Sequence, residues 1–114
     1  MYDVKTQDDL PFLPTTADRA TSSSNATAVV TYSAGVYRRQ SFHGLAWSYN
    51  GVPTTGRLFV TIDGNVVFDI DITNGGPGFI WFPRRMGGRN IVITLAAGGT
   101  SIVGKLNVLD HQIR

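Results

Sequence analysis

The stretch RLFVTIDGNVVFDIDI, residues 57–72, decides the fold class of this chain. Apolar and polar side chains alternate on both sides of Asp63-Gly64-Asn65, with the period of two that is typical of half-buried strands. Asp-Gly between such runs favours a tight hairpin, because these turns need backbone conformations with positive φ. We therefore expect an antiparallel hairpin. The side chains expected to face the core are Leu58, Val60, Ile62, Val66, Phe68, Ile70 and Ile72.

The composition extends this expectation to the rest of the chain. Val, Ile and Thr supply 31 of the 114 residues (11, 8 and 12), and every acidic residue is Asp. Branched side chains favour the pleated surface of a sheet, whereas Glu, Leu, Ala and Lys favour helices. Seven short strands separated by turn residues predict an all-β sandwich or barrel, and we take a single antiparallel β-sandwich as the expected fold. Besides the hairpin, strands are expected at residues 26–33, 39–49, 79–83, 89–96 and 101–109.

The strand at residues 39–49 is expected to alternate strictly between its two faces. A shift of one residue would exchange those faces, so the assignment can be checked at single side chains. On this pattern Trp47 faces inward, as Phe68 does in the hairpin. One face carries Leu45, Trp47 and Tyr49, and the other carries Phe42, Gly44, Ala46 and Ser48.

Residues 1–25 differ from the predicted sandwich domain, residues 26–114. Their one apolar cluster is Leu10-Pro11-Phe12-Leu13-Pro14, within a stretch that is otherwise polar. Residues that precede proline avoid the helical region, so this cluster is expected to be extended. We interpret residues 1–25 as an extended N-terminal arm whose cluster anchors it in a groove or at a sheet edge.

Charge divides at the same boundary. Residues 1–25 carry four Asp against Lys5 and Arg19, a net charge of −2, whereas residues 26–114 carry eight Lys and Arg against four Asp, a net charge of +4. These opposite charges favour contact between the arm and a sandwich domain, which can belong to the same copy or to a neighbouring copy. A charge of +4 is only mildly basic, so nucleic acid is not the expected partner.

Other features narrow the class of protein. The chain has no cysteine, so a disulfide framework and a thiolate metal site are both excluded. No stretch approaches the ~20 apolar residues of a membrane helix, and MYDVKTQDD contains no apolar run that could serve as a signal. We expect a protein that is made and assembled in a cytoplasm, without a membrane partner.

Candidate catalytic and metal-binding residues are few. His43 lies in a predicted strand, and His111 is expected to be a solvated residue near the C-terminus. Ser41, His43 and Asp69 could form a catalytic triad, but such triads are defined by geometry rather than by residue type. Three carboxylates could hold a hard cation through their oxygen atoms. For Asp69 and Asp71 we favour a simpler interpretation, in which they belong to the polar face of a half-buried strand. We therefore predict no catalytic residues, no metal and no cofactor. Those three carboxylates are Asp63, Asp69 and Asp71.

Two further groups of residues are typical of contact surfaces. Residues 79–83 carry bulky apolar side chains on both strand faces, and one face needs a cover. Pro77 and Pro83 flank this run and favour an edge strand, because proline cannot donate a hydrogen bond to the sheet. Arginines beside aromatic residues are typical both of protein interfaces and of single-strand binders. The candidate partner-binding residues here are Phe79, Trp81, Phe82, Arg38, Arg39, Arg84 and Arg85, with Arg89 close to the last pair.

Several stretches resemble small β-sandwich structural proteins of tailed bacteriophages, encoded among head genes. The resemblance covers about residues 40–110. It implies a capsid decoration or cement protein with a jelly-roll-like or immunoglobulin-like unit, often trimeric, that sits on the major capsid protein and staples neighbours with its arm. The stretches are DGNVVFDIDIT (63–73), GPGFI (76–80), IVITLAAGG (91–99) and GKLNV (104–108).

The sequence therefore predicts a non-enzymatic virion structural protein, a homo-oligomer on the capsid surface. Two alternatives remain open. A small carbohydrate-binding module would use Trp47, Tyr49 or Trp81 as a sugar platform and would show a row of coplanar aromatic rings on one sheet face. A single-strand nucleic-acid binder would bring its arginines into one groove. The arginines in question are Arg38, Arg39, Arg84, Arg85 and Arg89.

Overall fold

The computed structural model describes residues 18–33 and 38–113, which form two antiparallel sheets packed face to face. The all-β sandwich predicted from the sequence is confirmed. The cluster Leu10 to Pro14 lies outside the described residues. The strands are β1 (Arg19–Thr21), β2 (Ala28–Ser33), β3 (Gln40–Tyr49), β4 (Gly56–Ile62), β5 (Asn65–Ile72), β6 (Gly78–Gly88), β7 (Asn90–Leu95), β8 (Gly104–Leu109) and β9 (Gln112–Ile113).

The strand order decides between the jelly-roll-like and the immunoglobulin-like topology. The front sheet has the order β1-β8-β3-β6, with β9 also paired to β3, and the back sheet has the order β2-β7-β4-β5. The first strand thus pairs with the eighth, the second with the seventh, the third with the sixth and the fourth with the fifth. This is the order of a long hairpin rolled into two sheets, which is the eight-stranded jelly roll. An immunoglobulin domain would instead join its first, second, fifth and fourth strands in one sheet.

The core lies between the sheets and is built from alternate residues of nearly every strand. Leu58 and Val60 of β4 face it as predicted, whereas Val66 at the start of β5 is exposed. A register shift between Val60 and Thr61 explains this difference, because it breaks the alternation beside the turn. Ile62, Phe68 and Ile70 are only partly buried. The fully buried side chains are Phe42, Leu45, Leu58, Val60, Ile91, Ile93, Leu95 and Leu106.

The predicted alternation along β3 is wrong at one point. Phe42 and Leu45 are both fully buried, although they were placed on opposite faces. The pairing of β3 with β6 shifts between Phe42 and Gly44, so that a β-bulge at His43 turns Phe42 back into the core. Trp47 does face inward, but it is only partly buried.

Residues 18–33 and 38–113 form nine strands where seven were predicted, because two very short ones lack any periodic pattern. β1 comes from the range predicted to be arm and pairs with β8, so the sheet begins before residue 26. β9 pairs with the start of β3, on the same side of β3 as β8. Within the described ranges, no helix is long and apolar enough to cross a membrane.

Candidate functional site

Among the described residues, the most exposed aromatic side chains lie on β6, at one edge of the front sheet. Along this strand Ile80 and Phe82 point into the core, whereas Phe79 and Trp81 point outward and remain 63% and 49% exposed. The strand continues through Pro83 to Gly88. An edge strand tolerates proline, which cannot donate a backbone hydrogen bond, because over the part of the chain that the structure describes β6 pairs only with β3. We call Phe79, Trp81 and the neighbouring His43 the aromatic surface.

Small residues on β3 provide the seat for these rings. Gly44 lies opposite Trp81, and Ala46 lies opposite Phe79. A Cβ atom at Gly44 would come within 2.7 Å of the Trp81 ring, so the ring occupies space that only glycine leaves free. His43 stacks on Trp81 with a centroid distance of 4.3 Å and an interplanar angle of 20°. On the other side, the Phe79 ring lies 6.5 Å from the Trp81 ring with an interplanar angle of 22°.

A charged cluster holds the bulge that carries His43. The Arg85 Nη1 atom donates to Asp110 Oδ2 at 2.6 Å, and Arg85 Nε donates to Ser41 Oγ at 3.0 Å. His43 Nδ1 lies 3.7 Å from the same Asp110 oxygen. Arg85 therefore joins β6 to β3 and to the residue after β8, close to the His43 ring on which Trp81 stacks.

The predicted arginine surface is only partly assembled. Arg38 and Arg84 are exposed, and Arg39 and Arg85 line a shallow cavity of about 300 Å³ together with Gln40, Ser41 and Gly87. The guanidinium of Arg85 is already paired with Asp110. This cavity thus brings together two of the five arginines that a nucleic-acid groove would need, and one of those is engaged within the protein.

The triad considered from the sequence does not converge. Ser41 and His43 lie on β3 in the front sheet, whereas Asp69 lies on β5 in the back sheet. Asp69 accepts two hydrogen bonds of 2.8 Å from Arg57, which hold the pKa of its carboxyl below the usual range. The carboxylate near His43 is instead Asp110, and Ser41 accepts a hydrogen bond from Arg85.

The three carboxylates weighed as metal ligands have other roles or lie apart. Asp63 Oδ1 accepts hydrogen bonds from the backbone N–H of Asn90 at 2.9 Å and of Arg89 at 3.2 Å. Asp69 is paired with Arg57, as described above. Across residues 18–33 and 38–113, no three Asp or His side chains are grouped closely enough to hold a metal ion.

A buried polar network near the start of β1 was missed by sequence reasoning. Tyr32 Oη donates to Asp18 Oδ1 at 2.5 Å, and His111 Nδ1 lies 3.3 Å from the same oxygen. The His111 ring also stacks on Tyr32 at 3.7 Å, and its Nε2 lies 2.6 Å from Gln40 Oε1. His111 is therefore not the solvated residue that was expected, because β9 brings it against β3.

Burial sets the protonation of this network. It raises the pKa of the Tyr32 hydroxyl, and the neighbouring Asp18 carboxylate raises it further. Burial also lowers the pKa of His111, and this effect outweighs the opposing attraction of Asp18. Asp18 thus lies beside a phenol that keeps its proton at neutral pH and beside an imidazole whose pKa is lowered. No pattern in the sequence links these residues, since they are far apart along the chain.

Comparison with protein-family models and with curated proteins finds no match for this sequence. The functional interpretation therefore depends on the site itself. Its main features are two exposed rings on an edge strand, a glycine seat under one of them, and a charged cluster that holds the third ring.

Proposed function

We propose that this protein is a non-enzymatic virion structural subunit, a capsid decoration or cement protein that binds the capsid shell through its aromatic surface. The exposure of Phe79 and Trp81 supports this proposal more than any other observation. Exposed groups of large apolar side chains mark interaction sites, and Trp is among the residues that contribute most to protein interfaces. The rigid seat of Trp81 lowers the entropic cost of burying it against a partner.

The fold supports the same proposal. Jelly rolls are common among viral capsid domains and also among lectins, so the topology alone does not fix the function. The resemblance to phage head proteins spans about residues 40–110, a range that contains the whole aromatic surface. It favours the capsid over the lectin alternative, and it favours a trimer.

The arm has a second role in this proposal. The apolar cluster from Leu10 to Pro14 reaches an adjacent subunit, and the acidic residues around it are attracted to the basic sandwich domain. Arm and aromatic surface together add buried area between shell subunits, which resists expansion of the shell under internal pressure. The partners are major capsid protein and other copies of this chain.

Co-sedimentation with particles that lack the protein tests the proposal. Phe79→Ser combined with Trp81→Ser removes both outward rings without touching the core, and we expect this variant to fold but no longer to saturate the particles. The matched control is Val66→Ser with Val67→Ser, which removes two exposed apolar side chains from the edge strand of the back sheet. Equal binding by both variants would contradict the proposal.

The arm is tested in the same assay. We expect the combination Leu10→Ser, Phe12→Ser and Leu13→Ser to weaken binding while the protein stays folded, because each buried anchor contributes roughly 1.5 to 3 kcal/mol. The His43→Ala variant is unsuitable as a neutral control, since His43 supports Trp81. Asp69→Asn is suitable, because Asp69 lies on the back sheet and we expect it to leave binding intact.

One observation favours a second function, recognition of carbohydrate. Phe79 and Trp81 are exposed aromatic neighbours on one sheet face, and polar residues such as Ser48 and Asn107 lie on the same outer face, although the two rings stack at 22° rather than forming the coplanar row expected of a sugar platform. Retention on insoluble polysaccharides in affinity electrophoresis, abolished by the Phe79 and Trp81 double variant, would favour this function over shell binding.

A further inference from the structure

The position at which the arm leaves the sandwich domain is fixed. β1 pairs with β8 so that Arg19 lies opposite Asn107, and Asp18 is held by Tyr32 and His111. The chain that precedes Asp18 therefore starts from one defined point on the front sheet. That point lies at the opposite edge of the sheet from β6.

The aromatic surface lies directly across the sheet from this point. Arg19 pairs with Asn107, Asn107 with Ala46, and Ala46 with Phe79, so all four residues stand in one row. Three steps between neighbouring strands span about 14 Å. An extended chain covers at most about 3.4 Å per residue, so Leu13 can lie up to about 17 Å from Asp18 and Leu10 up to about 27 Å. The apolar cluster is thus long enough to reach Phe79 and Trp81 of its own chain.

The route across the sheet suits an extended peptide. β3 presents the small Ala46 side chain outward, which leaves a low floor between Asn107 of β8 and Phe79 of β6. The cluster carries Leu10, Phe12 and Leu13 as apolar groups that can pack on those rings. The route ends at an apolar surface that matches an apolar segment.

Charge favours the same arrangement. Residues 1–17 carry Asp3, Asp8 and Asp9 against Lys5. β6 carries the exposed Arg84 three residues after Trp81. With Leu10 near the rings, the acidic pair before it comes close to this basic part of the edge strand.

We propose that in the free subunit the Leu10 to Pro14 cluster lies across the front sheet and covers the aromatic surface of its own chain. The arm then protects Phe79 and Trp81 until a partner displaces it, and the displaced arm becomes available to a neighbouring subunit. This inference concerns the free protein and holds whichever partner the aromatic surface binds.

An engineered disulfide tests the contact without any partner. The natural chain has no cysteine, so a pair of introduced cysteines is unambiguous. Pro14→Cys with Ala46→Cys keeps all three apolar anchors and both rings, and a disulfide forms only when the two Cα atoms approach within about 7 Å. We expect rapid formation of an intramolecular disulfide, seen as faster migration on a non-reducing gel. The matched control, Pro14→Cys with Val66→Cys on the back sheet, should remain reduced over the same time.

A further variant separates docking from simple tethering. Adding Leu10→Ser, Phe12→Ser and Leu13→Ser to the Pro14 and Ala46 cysteine pair keeps the tether and removes the anchors, and we expect the disulfide to form much more slowly. An unchanged rate would overturn the inference, because the cysteines would then be meeting by chance motion. Disulfide-linked dimers that increase with protein concentration would also overturn it, since the arm would then occupy a second copy. Failure of particle binding, by contrast, bears only on the proposed function.

Discussion

Two phenylalanines on the outer faces of the sandwich have different surroundings. Phe59 lies on the back sheet under the guanidinium of Arg57, whose Cζ atom is 4.2 Å from the ring centroid, and Asp69 holds that guanidinium in place. Phe79 lies on the front sheet and is 63% exposed, and its one described ring neighbour is the equally outward Trp81. The back sheet thus covers its outward aromatic side chain with its own residues. The front sheet, over the described residues, leaves a pair of rings for something else to cover.

This difference supports the proposal that the front sheet is the binding face. Arg57 reaches Asp69 across a strand pair and covers the intervening ring, a local device that cation–π and charge attraction both stabilise. The front sheet instead supports Trp81 from below with Gly44 and His43, and this support leaves its outer side open. The back sheet covers its outward ring, whereas the front sheet leaves Phe79 and Trp81 accessible, as the proposed binding role requires.

The largest expected effect is a difference in the free energy of unfolding between substitutions on the two faces of β6. Phe82 is buried, and its ring packs edge-on against Phe42 at 5.8 Å and Phe68 at 5.0 Å. Phe82→Ala should therefore lower the free energy of unfolding by about 3 to 5 kcal/mol. Phe79→Ala, three residues earlier, should change it by about 0.5 kcal/mol or less, as at most surface positions. Denaturant titration of both variants measures the contrast, and similar losses would mean that Phe79 belongs to the core.

Acidification should act first on the front sheet. The pKa of His111 in the folded state is lowered by burial, so the unfolded chain binds its proton more readily. Stability should therefore fall as the pH drops below about 6.5, the usual value for histidine, and the fall ends once the lowered pKa is passed. The slope cannot exceed about 1.4 kcal/mol per pH unit for one proton. Thermal unfolding from pH 8 to pH 5 measures it, and His111→Gln should flatten the curve.

The back sheet should respond only at much lower pH. Its paired carboxylate, Asp69, has a lowered pKa, so the stability that it contributes is present above the ordinary pKa of 3.8 and is lost below it. If the stability of the His111→Gln variant falls between pH 6.5 and pH 5 as steeply as that of the natural protein, another group titrates in this range.

The smallest expected effect comes from uncovering Phe59. Arg57 and Asp69 are both exposed, so Arg57→Ala should hardly change stability, and the change should shrink in high salt. The variant should nevertheless bind a hydrophobic dye more strongly than the natural protein, because its back sheet then presents a bare ring. Unchanged dye fluorescence would show that Arg57 does not shield Phe59.

The sequence predicts well what depends on neighbouring residues. The hairpin around Asp63-Gly64-Asn65, the all-β class and the edge position of the Phe79 run all follow from alternation and turn residues. The exposure of an aromatic side chain at Trp81 follows too, since one strand cannot bury bulky groups on both of its faces in a two-layer fold.

What the sequence does not predict depends on pairings between distant strands. The bulge at His43 arises where β3 meets β6, and it moves Phe42 to the core against the local pattern. The network of Asp18, Tyr32 and His111 arises where β1, β2 and β9 meet at one end of the sandwich. Short strands such as β1 and β9 have too few residues for any period to be visible. Their place is set by tertiary pairing alone.

The difference between the two faces can be measured directly with a photo-cross-linker. A benzophenone amino acid is placed at position 79 in one protein and at position 59 in another, and each protein is assembled onto particles and irradiated. We expect position 79 to form a cross-link to a shell subunit, identified by mass spectrometry of the shifted band, and position 59 to form none. A cross-link from position 59 with none from position 79 would contradict the assignment of the front sheet as the binding face.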